Sequence, residues 1–195
     1  MKKYIVECLG TFALTLAVAL SLSGSFPVST PVLAGLVVLL FVYSIGHISG
    51  THLNPAVTLG LWSIKKINST DALSYIVAQF VGAGLALMVS NRVGDPLELI
   101  VSNYWTVGFA ELLGAFFFTF GIASVVYGRV QNNFGGLVIG GSLVLGIAFA
   151  ALLGSNGVLN PAVAFGIGSF GLMYVLGPIL GSIIGMQAYR ALENQ

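Results

Sequence analysis

Leu53-Asn54-Pro55-Ala56-Val57-Thr58-Leu59-Gly60 returns later in the chain as Leu159-Asn160-Pro161-Ala162-Val163-Ala164-Phe165-Gly166, with six of the eight positions identical. Asparagine is a favoured N-cap and proline fits the first helical turn, so each copy starts a helix at its Asn. The apolar stretches that follow, about 54 to 62 and 160 to 168, fall short of the roughly 17–25 residues needed to cross a bilayer. Two broken helices therefore stop at membrane depth, where backbone leaves the helix only to line a cavity.

The rest of the chain has the composition of a membrane protein. Of its 195 residues 57% are hydrophobic and 7% charged, with a mean hydropathy of +1.00, whereas about a quarter of a soluble domain is charged. A net charge of +1 offers no footprint for nucleic acid. The lone Cys8 forms no internal disulfide. The first apolar run continues past the length of a signal-peptide core without an Ala-x-Ala-like exit, so it is expected to remain as a transmembrane helix.

Six spans are long enough to cross: about 4 to 23, 31 to 49, 71 to 90, 106 to 127, 134 to 153 and 170 to 190. With the N-terminus inside, Lys2, Lys3, Lys65, Lys66, Arg129 and Arg190 fall on the cytoplasmic side and only Arg92 outside, which satisfies the positive-inside rule. The first half-helix then enters from the cytoplasm and the second from outside.

The duplication extends beyond Asn-Pro-Ala. Glu7-Cys8-Leu9-Gly10-Thr11-Phe12-Ala13-Leu14-Thr15 aligns with Glu111-Leu112-Leu113-Gly114-Ala115-Phe116-Phe117-Phe118-Thr119, and Leu33-Ala34-Gly35-Leu36-Val37 echoes Phe134-Gly135-Gly136-Leu137-Val138. Three spans per half is an odd number, so the halves lie upside down relative to each other. The expectation is one all-α transmembrane domain over 1–195, with repeat one at about 1–90, repeat two at about 106–195, and a short external linker at about 91–105. Gly82, Gly84, Gly177, Gly181 and Gly185 suit close helix crossings.

Taken together, Glu7 with Gly10, Gly46-His47-Ile48-Ser49-Gly50 ahead of Asn54-Pro55-Ala56, Ala78-Gln79-Phe80-Val81-Gly82, Glu111 with Gly114, Asn160-Pro161-Ala162 and Gly177-Pro178 resemble the aquaporin and aquaglyceroporin family, the major intrinsic proteins, over essentially the whole chain. The resemblance implies a homotetramer with one pore per subunit, working without a cofactor, embedded in a lipid bilayer and taking water and small neutral solutes. It also implies that the carbonyls of Gly50, Thr51, His52 and Leu53, and of Asn156, Gly157 and Val158, line the pore, and that Glu7 and Glu111 are buried carboxylates supporting the re-entrant loops. A multi-pass protein of the cell membrane with both termini cytoplasmic follows from the same likeness and the basic residues.

One departure from the family bears on selectivity. The arginine that usually follows the second Asn-Pro-Ala is replaced by Val163. The other constriction positions, counted from the motifs, are Ala34, Gly157 and either Ala148 or Ile147 in span five. A ring without aromatic, charged or donor side chains is expected to be wide and to admit glycerol, urea, ammonia, hydrogen peroxide or metalloid hydroxides besides water. Proton exclusion would then rest on the helix dipoles. Phe41, Tyr43, Phe149 and Phe165 are aromatic side chains near enough in sequence to fill that space. His47 suits a structural or pore-wall role better than a gate, and His52 a role in loop geometry. The linker is shorter than is common in the family, which predicts a more open outer vestibule.

Two other classes compete with a passive channel: a secondary transporter with broken helices, for which Glu7 and Glu111 are the intramembrane charges on hand, and a non-conducting scaffold on the same fold. No nucleophile and base pair, metal-ligand cluster or phosphate loop points to an enzyme.

Overall fold

The computed structural model describes residues 1–24, 27–94, 97 and 99–194. Of the linker, Asp95, Pro96 and Glu98 lie outside the described residues, as does Gln195 at the end of repeat two.

The six spanning helices are α1 (Lys2–Ser23), α2 (Thr30–Ser49), α4 (Ser69–Val93), α5 (Trp105–Val126), α6 (Gly135–Leu152) and α8 (Leu172–Glu193), and between them stand the half-helices α3 (Pro55–Ser63) and α7 (Pro161–Gly166). The described residues contain no strand, and six helices are long and apolar enough to cross a membrane. This is the expected all-α fold with an inverted internal repeat.

Several boundaries differ from the sequence reading, and three have a visible local reason. The second half-helix stops at Gly166 rather than 168, because Gly168 turns left-handed at φ 76° and Ser169 N donates back to the Ala164 carbonyl. The sixth span starts at Leu172 rather than 170, after an extended Gly171. At the other extreme α4 outruns its expected span, since Asn68 caps it by accepting from Asp71 N at 2.9 Å.

Within each half the first and third spans pack together, α1 on α4 and α5 on α8. Lipid tails are as apolar as leucine, so such contacts depend on close backbone approach. A Cβ on Gly82 would strike the Cys8 carbonyl oxygen, one on Gly181 the Leu112 carbonyl, and one on Gly185 would lie 2.5 Å from the Phe116 carbonyl. Gly177 would place its Cβ 2.6 Å from the Gly108 oxygen, whereas Gly84 has only Phe165 at 3.7 Å and is no close crossing. The halves join where α2 meets α6, with Gly35 and Gly140 facing each other across the seam. Each half-helix also packs against the third span of the other half, α3 on α8 and α7 on α4.

Lys3, Lys66 and Arg129 make their contacts at one end of the bundle, and Arg92 lies at the other, in the last turn of α4. Lys3 Nζ reaches Asp71 at 2.7 Å, Lys66 lies over the Tyr127 ring at 4.7 Å, and Arg129 pairs with Glu193. At the opposite end Asn156 Nδ2 donates to the Ile100 carbonyl at 3.2 Å, which brings the linker in over the bundle.

Candidate functional site

Each half-helix is held by its own asparagine. Asn54 Oδ1 accepts from Ala56 N at 2.8 Å, and Asn160 Oδ1 accepts from Ala162 N at 3.1 Å and Val163 N at 3.3 Å. The amide nitrogens reach across the bundle: Asn54 Nδ2 donates to the Leu159 carbonyl and Asn160 Nδ2 to the Leu53 carbonyl, both at 2.9 Å. A carboxamide nitrogen carries two hydrogens. One on each asparagine is thus used between the halves, and the other remains beside the cavity that both residues line.

The loops leading into these helices are wrapped around buried carboxylates. Glu7 Oε1 accepts from Ser49 Oγ at 2.7 Å and His52 N at 3.0 Å, and Oε2 from Leu53 N and Gln79 Nε2, both at 2.8 Å. Glu111 mirrors it, accepting from Ser155 Oγ, from Val158 N at 2.9 Å and from Leu159 N at 2.7 Å. Both glutamates are fully buried and neither lines the cavity. In a trans peptide the N–H and the preceding C=O point in opposite directions. Turning the amides of His52, Leu53, Val158 and Leu159 toward glutamate therefore turns the carbonyls of Thr51, His52, Gly157 and Val158 away from it. Left-handed φ values at Thr51 (48°), Leu53 (51°), Gly157 (66°) and Leu159 (55°) accompany this arrangement, and non-glycine residues adopt them only where the surroundings impose them.

Several residues support the loops in roles that the sequence did not assign, Ser49 and Gln79 of the quoted motifs among them. Ser49 and Ser155 both stand five residues before their asparagine, and each also accepts from the backbone two residues on, at Thr51 N (3.0 Å) and Gly157 N (3.2 Å). Extending the repeat alignment five residues upstream of Asn-Pro would have found the pair. Tyr75 and Tyr174 are a second pair, the first donating to the Ser49 carbonyl at 2.8 Å and the second accepting from Asn156 N at 3.3 Å. Gln79 also donates to Thr58 Oγ1 at 3.0 Å, and Thr58 in turn lies 3.1 Å from His52 Nδ1.

A cavity of about 290 Å³ runs from Leu22, Thr30, Pro31 and Leu99 at the linker end down to His52, Asn54 and Asn160. Ala34, Ile147, Gly157 and Val163 all line it; Ala148 does not, so span five presents Ile147. Gly157 packs closely on this turn of α6, since a Cβ there would lie 2.8 Å from the Ile147 carbonyl oxygen. Asn156 and Val158 line the cavity too, but of the first loop only His52 does; Gly50, Thr51 and Leu53 stand outside the lining.

Of the four aromatic candidates none lines the cavity. Phe41 packs against the core, the Tyr43 hydroxyl donates to the Asn133 carbonyl at 2.8 Å, Phe149 lies 5.1 Å from Phe117, and Phe165 lies 5.9 Å from Phe80. Phe118 on α5 lines it instead. His47 is exposed and outside the lining, whereas the His52 ring meets the edge of Tyr75 at 5.0 Å. The short linker reaches the mouth of the cavity: the Asn156 amide bonds to the Ile100 carbonyl, and the neighbouring Leu99 is part of the lining.

Six spanning helices, two opposed half-helices and a cavity at their meeting point define a multi-pass membrane channel. The chain belongs to the major intrinsic protein family, whose sequence profile matches residues 1–189. It is 34% identical to Aquaporin Z of Rhodopseudomonas palustris over an alignment of 227 positions, covering 99% of this chain and 94% of that one. It is 32% identical to Aquaporin AqpM of Methanothermobacter marburgensis over 178 positions, covering 79% and 72%. The crystal structure of the aquaglyceroporin from Plasmodium falciparum superposes with a TM-score of 0.67 at 22% identity, covering 100% of this chain and 95% of that one, which supports the fold.

Proposed function

We propose that residues 1–195 form one channel unit, repeated as a homotetramer in the cell membrane with both termini cytoplasmic, that passes water and small uncharged solutes. Asn54, Pro55, Ala56, Asn160, Pro161 and Ala162 form its centre, and Ala34, Ile147, Gly157 and Val163 its constriction. The observation that carries this is the continuous cavity linking that constriction to both asparagines. A solute oxygen entering it meets the remaining amide hydrogens of Asn54 and Asn160 and the positive ends of two half-helices, an environment that disfavours cations. Carbonyls of the loops, of which His52, Asn156, Gly157 and Val158 belong to residues lining the cavity, accept the solute's hydrogens.

The glutamates argue against ion-coupled transport. Glu7 and Glu111 already accept from serine hydroxyls and loop amides and do not reach the cavity. Stopped-flow light scattering on proteoliposomes tests the proposal, comparing water, glycerol and urea for the native chain and Val163→Arg. The expected result is solute flux in the native chain that the arginine narrows toward water alone. Saturable, gradient-coupled flux would indicate a transporter, and absent flux from intact tetramers a scaffold.

A further inference from the structure

The ring of Ala34, Ile147, Gly157 and Val163 is chemically one-sided. Ala34, Ile147 and Val163 contribute no nitrogen or oxygen from their side chains, and Gly157 has no side chain. Asn156 is the nearest amide in sequence, but its nitrogen already donates to Ser169 Oγ at 2.8 Å and to the Ile100 carbonyl at 3.2 Å, which uses both hydrogens. On the loop side, the Val158 and Leu159 amides are turned to Glu111, leaving the carbonyls of Gly157 and Val158 on the opposite face. The ring thus has one polar edge, made of acceptors, and apolar walls elsewhere.

We propose that this ring selects, among neutral solutes of equal size, those with hydrogen-bond donors on one edge and hydrocarbon on the other: monoamides over urea, and vicinal diols over triols. The inference rests on the reading of the cavity as the conduction path. Urea carries four N–H donors where acetamide carries two, and with acceptors along one edge only, those left pointing toward Ile147 or Val163 find no partner to replace the water they have lost; an unsatisfied buried donor is costly. Acetamide has nearly the same size and places a methyl group there. The same comparison holds for 1,2-propanediol against glycerol, which differ by one hydroxyl.

The test measures acetamide and urea fluxes in proteoliposomes of the whole chain after subtracting empty liposomes, because a bare bilayer also favours the more apolar solute. The native ratio of protein-mediated fluxes is expected to favour acetamide by about tenfold, on the order of the loss from one unpaired donor group. Val163→Thr, close in shape but carrying a hydroxyl, should bring the ratio down severalfold, and Ala34→Ser provides a second variant if the first does not fold. Equal fluxes of the two amides, or faster urea, in a native protein that conducts solutes would overturn the preference while leaving the channel intact. A ratio that favours acetamide but is unmoved by either variant would also overturn it, by removing the ring as its origin. Water flux without amide flux, or no flux of any kind, would instead remove the solute-channel reading itself and the preference with it.

Discussion

Asn54 Nδ2 donates to the carbonyl oxygen of Leu159, 105 residues away, at 2.9 Å. Asn160 returns the bond to Leu53, so neither re-entrant loop is positioned by its own half alone. This couples the meeting point of the half-helices to the assembly of the two repeats, and it makes the asparagines structural and cavity-lining at once.

Asn54→Asp separates those roles. The carboxylate still caps α3, but it has no hydrogen for Leu159 or for a solute, and it places a negative charge where two positive helix ends meet. Proton or sodium leak is expected to rise by about tenfold or more as the dipolar barrier is neutralised. A pH-sensitive dye trapped in proteoliposomes reads this directly, and an unchanged leak would show that cation exclusion lies elsewhere.

Glu7→Gln and Glu111→Gln should each loosen one loop. In Glu7 both oxygens accept, and an amide nitrogen would face the donors Leu53 N and Gln79 Nε2 in place of Oε2, or Ser49 Oγ and His52 N in place of Oε1. Losing a hydrogen bond to a charged acceptor costs about 1.5–3 kcal/mol, which corresponds to a fall of roughly 3–12 °C in apparent melting temperature for a chain of this size. Thermal unfolding in detergent checks it; a shift under a degree would mean that the carboxylates are dispensable to the loops.

Adjacent glycines on α6 give opposite expectations. A Cβ on Gly140 would lie 2.6 Å from the Gly35 carbonyl, while one on Gly141 would meet nothing within 4 Å. Gly140→Ala should destabilise by about 1–3 kcal/mol through overpacking of the α2–α6 seam, and Gly141→Ala should be neutral or stabilising by up to about 1 kcal/mol through helix propensity. The same melting assay separates the two, and equal effects would contradict the seam.

Topology is open to chemical labelling. With Cys8 replaced by serine, a membrane-impermeant maleimide added to intact cells should modify Tyr104→Cys, at the linker end, and leave Asn194→Cys unmodified until the cells are opened. Both positions are exposed in the structure. Labelling of Asn194→Cys in intact cells would place the termini outside and reverse the assignment drawn from the basic residues.

Much of this protein was determined by sequence alone. Six apolar spans, two Asn-Pro half-helix starts and an odd number of spans per repeat specify an inverted bundle, because a bilayer admits few ways to satisfy a backbone. Glu7, Glu111, Asn54, Asn160 and the unusual Val163 were legible because the repeat sets each residue against its counterpart or against the expected motif. What the tertiary structure decided was orientation across contacts distant in sequence. Ile147 rather than Ala148 faces the cavity, on a turn of α6 where Gly157 packs closely, and one residue of helix register turns a side chain by about 100°. Phe118 enters the lining while Phe41, Tyr43, Phe149 and Phe165 do not, a matter of helix rotation within an almost uniformly apolar sequence. Leu99 joins the lining beside a hydrogen bond from Asn156 to Ile100, which neither composition nor motif encodes locally. An apolar helix in a membrane carries weak periodicity, so its facing is settled by the close packing of its neighbours.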